Sequence, residues 1–331
     1  MRYHVLTRGP LGRTIGVMRV TRHVFDARLT ADAARQLAAA LREGGPHDVV
    51  CVGCPPEWLR LPVPVRRMGD RGPLSCLLAG LRKPADTSPS PDAIHAWGPS
   101  VLDYCSHAAR RAKSPLVLHL SAAAQAHGLK LSDVRTKLTG LLYVTVPAEP
   151  SRQALLADGL PADAVSVLPP AMVPLGGDRQ AVRERLGLSP DMKLIVAPDE
   201  MIRQAGLKYA IWAYVVLRQL KDSIRLMLPV GGPGEASLRN FAETTWYLQE
   251  LIFPRQDVGL GDALVAADVA VFPREQDTGL TAAASARAAG VPIVATTTPD
   301  LQACLGGDAL YAAPKDPRRL AMAMLKLLEG R

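Results

Sequence analysis

The chain has 331 residues, of which 48% are hydrophobic and 21% charged, and its formal net charge at pH 7 is +8. This length exceeds that of an ordinary single hydrophobic core and predicts two domains. No apolar run is long enough to cross a bilayer, and the first residues lack the layout of a signal peptide, so we expect a cytoplasmic protein.

The positive charge lies in the first half of the chain. Residues 1–170 contain 21 Lys and Arg against 13 Asp and Glu, whereas residues 171–331 contain 18 of each. This asymmetry favours an acidic acceptor, an anionic membrane surface at the inner face of the membrane, or a partner protein. Because the arginines are scattered, solubility alone is an alternative, and we expect no nucleic acid.

Five cysteines stand at positions 51, 54, 76, 105 and 304, without the spacing of a disulfide framework. Cys51 and Cys54 form a CxxC pair at the end of a strand-like run, and no second pair follows. Buried strand-end cysteines are the preferred interpretation, and a metal or redox pair is the alternative. No metal site is predicted.

Short β-rich apolar runs alternate with helical patterns, which is typical of parallel sheets covered by helices. In the first half, strands are predicted at 3–6, 48–53, 92–97, 115–120, 142–146 and 165–169, and helices at 31–43, 74–81, 99–113, 132–139 and 151–158. In the second half, strands are predicted at 193–198, 224–230, 251–254, 269–273, 292–296 and 309–313, and helices at 207–220, 235–248, 261–267, 278–289 and 317–328. A Pro- and Gly-rich linker at 168–180 separates a domain of residues 1–172 from one of residues 173–331.

Several motifs of the second half occur in a familiar order: RERLGL (183–188), RLMLPVGGPGE (225–235), LVAADVAVFP (264–273), AAGVPIVATTTPDL (288–301) and GDALYAAPKDPRRLA (307–321). With them, this half resembles the donor-binding domain of GT-B glycosyltransferases, in particular the retaining family 4. In the first half, DAIHAWGPS (92–100) and VSVLPPAMV (165–173) are similar to that family more loosely. The resemblance implies an α/β GT-B fold, in which two Rossmann-like doubly wound parallel-sheet domains face a cleft. The first domain would then be the acceptor side, and the second would bind a nucleotide sugar.

The cations that the family uses for the donor diphosphate are replaced. Such a site needs positive charge, because the leaving phosphate becomes more negative during transfer. The resemblance places the family's Arg and Lys at Glu200 and Ala205, and a carboxylate at Glu200 would repel a diphosphate. Arg203 and Lys208 lie nearby and are either substitute phosphate contacts or solvated charges at a helix start.

The family's two glutamates, eight residues apart, fall on Asp277 and Ser285. By resemblance, Asp277 is the carboxylate near the transferred sugar, and we predict it as a catalytic residue. Ser285 takes the place of the ribose contact and can form a hydrogen bond, but cannot accept from a diol in bidentate fashion. Glu275 is an alternative carboxylate or a surface charge.

Backbone groups are the remaining donor contacts that we predict in the second half. The segment Thr278, Gly279 and Leu280 opens a helix whose first N–H groups have no partner within the helix and suit an anion. Gly231 and Gly232 follow a strand in a glycine-rich turn, which a donor contact and a tight turn explain equally well.

In the first half, His95 matches the family's histidine at the end of its strand, and Trp97 stands where a second histidine is common. His119 lies two residues before the family's other histidine slot. We predict both histidines as catalytic, with a strand-end hydrogen bond as the alternative. The loop that contains Gly12 and Arg13 resembles the one that passes under the donor phosphates, and we predict anion binding there.

Three functions stay open at this stage. The first is a glycosyltransferase with rearranged anchors, which transfers a sugar with retention from a nucleotide sugar to a lipid or polysaccharide acceptor. The second is a catalytically silent pseudoenzyme that acts as a binding or scaffolding partner. The third is an epimerase of the GT-B type. We expect no cofactor, since the nucleotide sugar would be a substrate.

Overall fold

The computed structural model describes residues 20–42, 45–52, 55, 59–68, 91–255 and 257–330. The chain forms two compact units. The first comprises Met1–Pro147 and Ser151–Pro169, and the second comprises Ala148–Pro150 and Pro170–Arg331. Within the described residues, no helix is both long and apolar enough to span a membrane.

The first unit contains a seven-stranded parallel sheet in the order β3-β2-β1-β4-β5-β6-β7. Its strands are β1 (Thr21–Asp26), β2 (His47–Val52), β3 (Val65–Met68), β4 (Ala93–Trp97), β5 (Leu116–His119), β6 (Leu142–Val146) and β7 (Val165–Val167). Its described α-helices are α1 (Ala31–Ala40), α2 (Leu102–Ala112), α3 (Leu131–Lys137) and α4 (Glu149–Ala157). Helix α1 begins where it does because the Thr30 hydroxyl accepts the Ala33 N–H at 3.2 Å.

The second unit contains a six-stranded parallel sheet in the order β10-β9-β8-β11-β12-β13. Its strands are β8 (Lys193–Val196), β9 (Ile224–Met227), β10 (Leu251–Ile252), β11 (Val269–Phe272), β12 (Ile293–Thr296) and β13 (Ala309–Ala312). Its described α-helices are α5 (Arg179–Arg185), α6 (Leu207–Arg218), α7 (Glu235–Glu243), α8 (Leu260–Ala266), α9 (Thr281–Ala288), α10 (Pro299–Leu305) and α11 (Pro317–Leu328). All residues of β11 and β12 are buried, as expected for strands covered by helices on both faces.

Each sheet has one point at which the strand order reverses, between β1 and β4 in the first and between β8 and β11 in the second. In open parallel sheets, ligands bind outside the carboxyl ends of the strands at such a point. The two candidate regions are therefore the loops after β1 and β4 and the loops after β8 and β11.

The predicted α/β architecture is confirmed, and the differences are local. Two described strands, β1 and β3, and two helices, α5 and α10, were not predicted. The helix predicted at 235–248 ends at Glu243, and the one predicted at 278–289 begins at Thr281. The strand predicted at 3–6 and the helix predicted at 74–81 lie outside the described residues.

Candidate functional site

A buried ion pair occupies the carboxyl edge of the second sheet at its reversal point. Asp199 follows β8 and Arg274 follows β11, and their side chains are 5% and 0% exposed. The guanidinium donates from Nε to Asp199 Oδ2 at 2.8 Å and from Nη2 to Oδ1 at 2.6 Å. Its Nη2 also donates to the Gly279 carbonyl at 2.8 Å. The charge of Arg274 is thus neutralised inside the protein.

The loops after β8 and β11 are packed directly against each other. The Glu275 N–H donates to the Gln204 carbonyl at 2.9 Å. Gly206 has a φ of +64°, and a Cβ at this position would lie 2.2 Å from the Pro273 carbonyl oxygen. Only glycine combines this left-handed conformation with so close an approach.

Two lysines converge on Glu275 at the same edge. Lys208 Nζ lies 3.2 Å from Glu275 Oε1, and Lys315 Nζ lies 3.3 Å from Oε2. Burial raises the pKa of the Glu275 carboxyl, but the ion pairs with the two lysines outweigh this effect and hold the pKa below its ordinary value. The ion pair with Glu275 in turn raises the pKa of Lys208. Lys315, in the loop after β13, was not singled out from the sequence.

The two residues of the loop after β8 that we predicted at the donor site, Glu200 and Arg203, differ in their exposure. Arg203 is exposed, and its side chain forms no ion pair with the described residues. Glu200 is half-buried. Ala205, at the family's lysine position, lies fully buried in the hydrophobic core, so a lysine there would point into apolar surroundings.

Asp277 caps a helix. Its Oδ2 accepts the Asp300 N–H at 3.1 Å and its Oδ1 accepts the Leu301 N–H at 3.3 Å, both in the first turn of α10. Thr298, at the N-cap position of that helix, makes no side-chain cap bond. The carboxylate predicted as catalytic therefore supplies the missing cap from another loop.

Ser285 is 1% exposed on α9. Its hydroxyl donates to the Thr281 carbonyl at 2.7 Å and accepts the Val173 N–H at 2.8 Å. Ser285, the predicted ribose contact, thus connects the segment at Val173 to α9. Its hydroxyl proton and one of its two acceptor positions are already engaged in hydrogen bonds.

The segment before α9 lies close to the ion pair. The Gly279 carbonyl accepts from Arg274, Leu280 is buried, and Thr278 is half-buried. Leu280 occupies the N-cap position of α9 and provides no side-chain cap.

The glycine-rich turn after β9 packs against the loop after β8. A Cβ on Gly232 would lie 2.9 Å from both the N and the O atom of Met201, and the Met201 N–H donates to the Gly231 carbonyl at 3.2 Å. The close approach of two backbones explains the glycines here.

In the first sheet, four histidines form a row on one face, which we call the histidine row: His47 on β2, His23 on β1, His95 on β4 and His119 on β5. His23 Nε2 lies 3.1 Å from His47 Nδ1, and His95 Nδ1 lies 2.8 Å from His119 Nε2. The rings of His23 and His95 are 5.0 Å apart between centroids. His119 Nδ1 continues the row to the Thr145 hydroxyl on β6 at 2.7 Å.

Trp97 connects both halves of the row. Its Nε1–H donates to His23 Nδ1 at 3.2 Å, and its ring stacks on that of His119 at 3.9 Å. Because His23 Nδ1 accepts this bond, neutral His23 carries its proton on Nε2 and donates it to His47. The residue that stands in the place of a family histidine thus sets the tautomer of another histidine.

The histidine row is neutral at pH 7. Burial is the main cause, and the neighbouring histidines add to it, lowering the pKa of His23 to about 2 and that of His95 to about 4. The pKa of His119 is lowered for the same reasons. The structure therefore brings the two predicted catalytic histidines together, within a row that includes His23 and His47, which the sequence analysis missed. Gly12 and Arg13 lie outside the described residues.

No group of three or more His, Cys, Asp or Glu side chains suited to a metal ion occurs among the described residues. Cys51 is fully buried on β2, as predicted. Its CxxC partner, Cys54, lies outside the described part of the chain.

Known proteins resemble the second unit in sequence and the whole chain in structure. Residues 193–330 match the model of the family described as glycosyl transferases group 1. D-inositol 3-phosphate glycosyltransferase 2 of Catenulispora acidiphila is 29% identical over 178 residues, which cover 46% of this chain and 39% of that protein. The match therefore spans well under half of that relative.

Solved structures match almost the whole chain. HepE of Anabaena, in complex with UDP and glucose, has a TM-score of 0.72 at 15% identity, covering 94% of this chain and 90% of that one. Sucrose-phosphate synthase of Thermosynechococcus elongatus has a TM-score of 0.67 at 16% identity, with the same coverage. At these identities the likeness shows a shared fold.

Proposed function

Because residues 193–330 match the group 1 glycosyltransferases and the chain has the GT-B fold, we propose that the protein transfers a sugar from a nucleotide sugar, with Lys208 and Lys315 as the cations for the diphosphate. The observation that carries this proposal is the convergence of the two lysines on the Glu275 carboxylate. By resemblance, the family's Arg and Lys fall on Glu200 and Ala205, which carry no positive charge. In the proposal, Lys208 of α6 and Lys315 of the loop after β13 take their place.

Glu275 occupies the position that a phosphate would take between these cations. Its side chain is 12% exposed, whereas those of Lys208 and Lys315 are 46% and 61% exposed. Lysine carries its charge on a flexible stem, so the two ammonium groups can exchange the carboxylate for diphosphate oxygens with little change of backbone. Charge-assisted bonds to phosphate would then replace the bonds to Glu275.

The transfer itself needs stabilisation of the leaving group. The oxygen of the acceptor hydroxyl bonds to the anomeric carbon, the bond from that carbon to the diphosphate oxygen breaks with its electron pair, and the hydroxyl proton leaves with the diphosphate. Lys208 and Lys315 would stabilise the charge that develops on the diphosphate. We propose retention of configuration from the family resemblance, with Asp277 on the sugar side.

The substrates are proposed by analogy with relatives. HepE was solved with UDP and with UDP-glucose, which supports a nucleotide-sugar donor. The relative from Catenulispora acidiphila is named for D-inositol 3-phosphate. We propose a lipid or polysaccharide acceptor and, for the basic first half, contact with an anionic membrane surface or a partner protein.

A second candidate function is a catalytically silent binding or scaffolding protein. It is favoured by the engagement of Asp277 as a helix cap and by the neutralisation of Arg274 by Asp199. In this case the edge of the second sheet would hold its charges for stability alone.

Calorimetric titration with UDP, GDP, ADP and the corresponding glucose conjugates tests the proposal. We expect one nucleotide to bind, and Lys208→Ala and Lys315→Ala each to weaken it about 10-fold or more, the usual effect of losing a charge-assisted contact. Lys326→Ala is the control, because Lys326 is an exposed lysine of the same unit away from Glu275. Glu275→Gln should tighten binding, since it removes the internal competitor.

Sugar transfer is measured separately, as the release of nucleoside diphosphate from the nucleotide sugar that binds. Equal binding by all the lysine variants, or no binding of any nucleotide at millimolar concentration, would contradict the proposal. Nucleotide binding without turnover in the presence of acceptor extracts would favour the silent protein.

A further inference from the structure

Helix α6 carries an apolar stripe on its exposed side. Trp212, Val216 and Leu220 follow one another at intervals of four residues, which places them on one side of a helix. Leu220 lies just past the end of α6, and its N–H continues the turn by donating to the Leu217 carbonyl at 2.9 Å. The three residues of this α6 stripe are between 37% and 64% exposed, although large apolar side chains at a protein surface usually occur singly. Three of them on one side of a helix indicate an interaction surface.

The ring of Trp212 is held in place on this surface. It stacks on Phe241 of α7, with 6.3 Å between the ring centroids and 13° between the ring planes. A side chain that is already ordered loses little conformational entropy when it binds a partner. Tryptophan is also among the residues that contribute most to the free energy of protein–protein association. Trp212 is therefore a preorganised anchor for a partner.

A second exposed tryptophan lies in the turn after α7. Trp246 is 94% exposed, and its φ of +66° lies in the left-handed region, which a bulky residue rarely adopts. The next residue, Tyr247, accepts a hydrogen bond from Gln219 Nε2 at 2.7 Å, so this turn is attached to the end of α6. Both the exposure and the backbone conformation of Trp246 cost stability in the free chain. Burial of its ring against a partner would offset that cost.

The charges beside the α6 stripe are compensated within the same unit. Arg218 forms ion pairs with Asp222 and with Glu250, and Lys221 Nζ lies 3.5 Å from Glu329 Oε1. An anionic lipid surface would be attracted by uncompensated Lys and Arg, whereas these two cations are already paired. In a two-fold interface the same surface faces itself, so a net charge near the axis would be repelled by its own copy. A compensated border avoids this repulsion and favours a second copy of the chain as the partner.

We propose that the α6 stripe is the centre of an isologous interface between two copies of this chain, with Val216 close to the two-fold axis. Trp212 lies four residues before Val216 and Leu220 four residues after it, a separation of about 6 Å along the helix on each side. When two such helices lie antiparallel, Trp212 of each copy comes to the Leu220 side of the other. The stripe is therefore complementary to itself, and Trp246 in the adjoining turn would be covered at its border. This interface does not depend on the proposed sugar transfer.

Sedimentation velocity of the full chain over a series of concentrations tests the interface. We expect the wild type to form a dimer, and Val216→Glu and Val216→Lys each to weaken it about 10-fold or more, because like charges would meet at the axis. Met172→Glu is the matched control, since Met172 is as exposed as Leu220 but lies outside α6 and α7. Circular dichroism checks that each variant keeps the helical content of the wild type.

An equimolar mixture of Val216→Glu and Val216→Lys identifies the partner as a second copy. Opposite charges then meet at the axis, so we expect the mixture to associate more tightly than either variant alone. A misfolded variant could not restore association, so the mixture distinguishes a lost contact from a lost fold. A dimer that forms through another surface would gain nothing on mixing.

Co-sedimentation with vesicles of phosphatidylglycerol and phosphatidylcholine is the second measurement. Vesicle binding by a monomeric chain, abolished by Trp212→Ala and Trp246→Ala, would overturn the proposal in favour of a lipid surface. A wild type that stays monomeric up to about 100 μM would overturn it as well. So would equal dimerisation of the wild type and Val216→Glu, equal losses in Val216→Glu and Met172→Glu, or a mixture that associates no more tightly than the single variants.

Discussion

Arg274 and Asp199 form a bidentate ion pair that is buried at the carboxyl ends of β8 and β11, the two central strands of the second sheet, with both contacts at 2.8 Å or less. These residues are 75 positions apart in the chain. The pair therefore joins the loops after β8 and β11 and depends on the correct tertiary fold.

Removal of one member of this pair should be strongly destabilising, because it leaves an uncompensated charge in a buried site. We expect Arg274→Met and Asp199→Asn each to lower the free energy of unfolding by about 3–5 kcal/mol. The double variant should lose less than the sum of the two, since neither charge remains. Urea unfolding followed by circular dichroism measures all three. Single variants within about 0.5 kcal/mol of the wild type would show that the pair is not buried in solution.

Two glycines with similar φ angles should respond differently to substitution by alanine. Gly206 and Gly290 have φ of +64° and +67°, but a Cβ would meet the Pro273 oxygen at 2.2 Å in the first and nothing within 4 Å in the second. Gly290→Ala should cost about 1–2 kcal/mol for the left-handed conformation alone. Gly206→Ala should cost roughly 1–3 kcal/mol more, because the two loops must move apart. Equal losses of unfolding free energy would refute the close contact.

The helix-capping role of Asp277 predicts an effect on stability in the absence of any ligand. Asp277→Ala should lower the free energy of unfolding by about 1 kcal/mol, the usual cost of a lost cap, and Asp277→Asn should retain most of it because the amide oxygen still accepts one N–H. Thermal unfolding without nucleotide is the measurement. If Asp277→Ala is as stable as the wild type, Asp277 does not cap α10 in solution.

The histidine row predicts a loss of stability in mild acid. In the folded chain the pKa of His23 is about 2 and that of His95 is about 4, whereas the ordinary value, which applies to the unfolded chain, is 6.5. The unfolded chain therefore takes up protons first as the pH falls below about 6.5, and the stability present above that pH is lost progressively. His23 alone should account for about 2 kcal/mol between pH 7.5 and 5.

Urea unfolding at pH 7.5, 6 and 5 measures this loss. Most carboxyl groups titrate below this pH range and contribute little to it. His95→Gln should reduce the slope, and the exposed His127→Gln should not. A free energy of unfolding that does not change over this range would mean that the row is open to solvent.

Much of the second sheet could be predicted from sequence, because β11 and β12 are continuous apolar runs buried on both faces. β1 was missed because its sequence, TRHVFD, places polar residues in a central strand. His23 is accommodated by bonds to His47 and Trp97, and Arg22 by an ion pair with Asp48 on β2 at 2.6 Å. These partners come from other strands, so no local pattern reveals them.

The position of the candidate site could be predicted from the sequence, but the partners of its side chains could not. The register of the resemblance located Asp277 and Ser285 in the loop and helix after β11, as the structure has them. Their present partners, the first turn of α10 and the segment at Val173, lie 23 or more positions away and could not be read from spacing. The same holds for Glu275, whose second lysine is at position 315.

The histidine row crosses four adjacent strands and reaches a fifth at Thr145, so its contacts form only when these strands are correctly aligned. Side chains alternate between the faces of a sheet, and a slip of one residue in any of these strands would carry its ring to the opposite face. The ring nitrogens of His23, His95 and His119 therefore give NMR signals that report, within a single spectrum, whether strands β2, β1, β4, β5 and β6 have assembled in their native order.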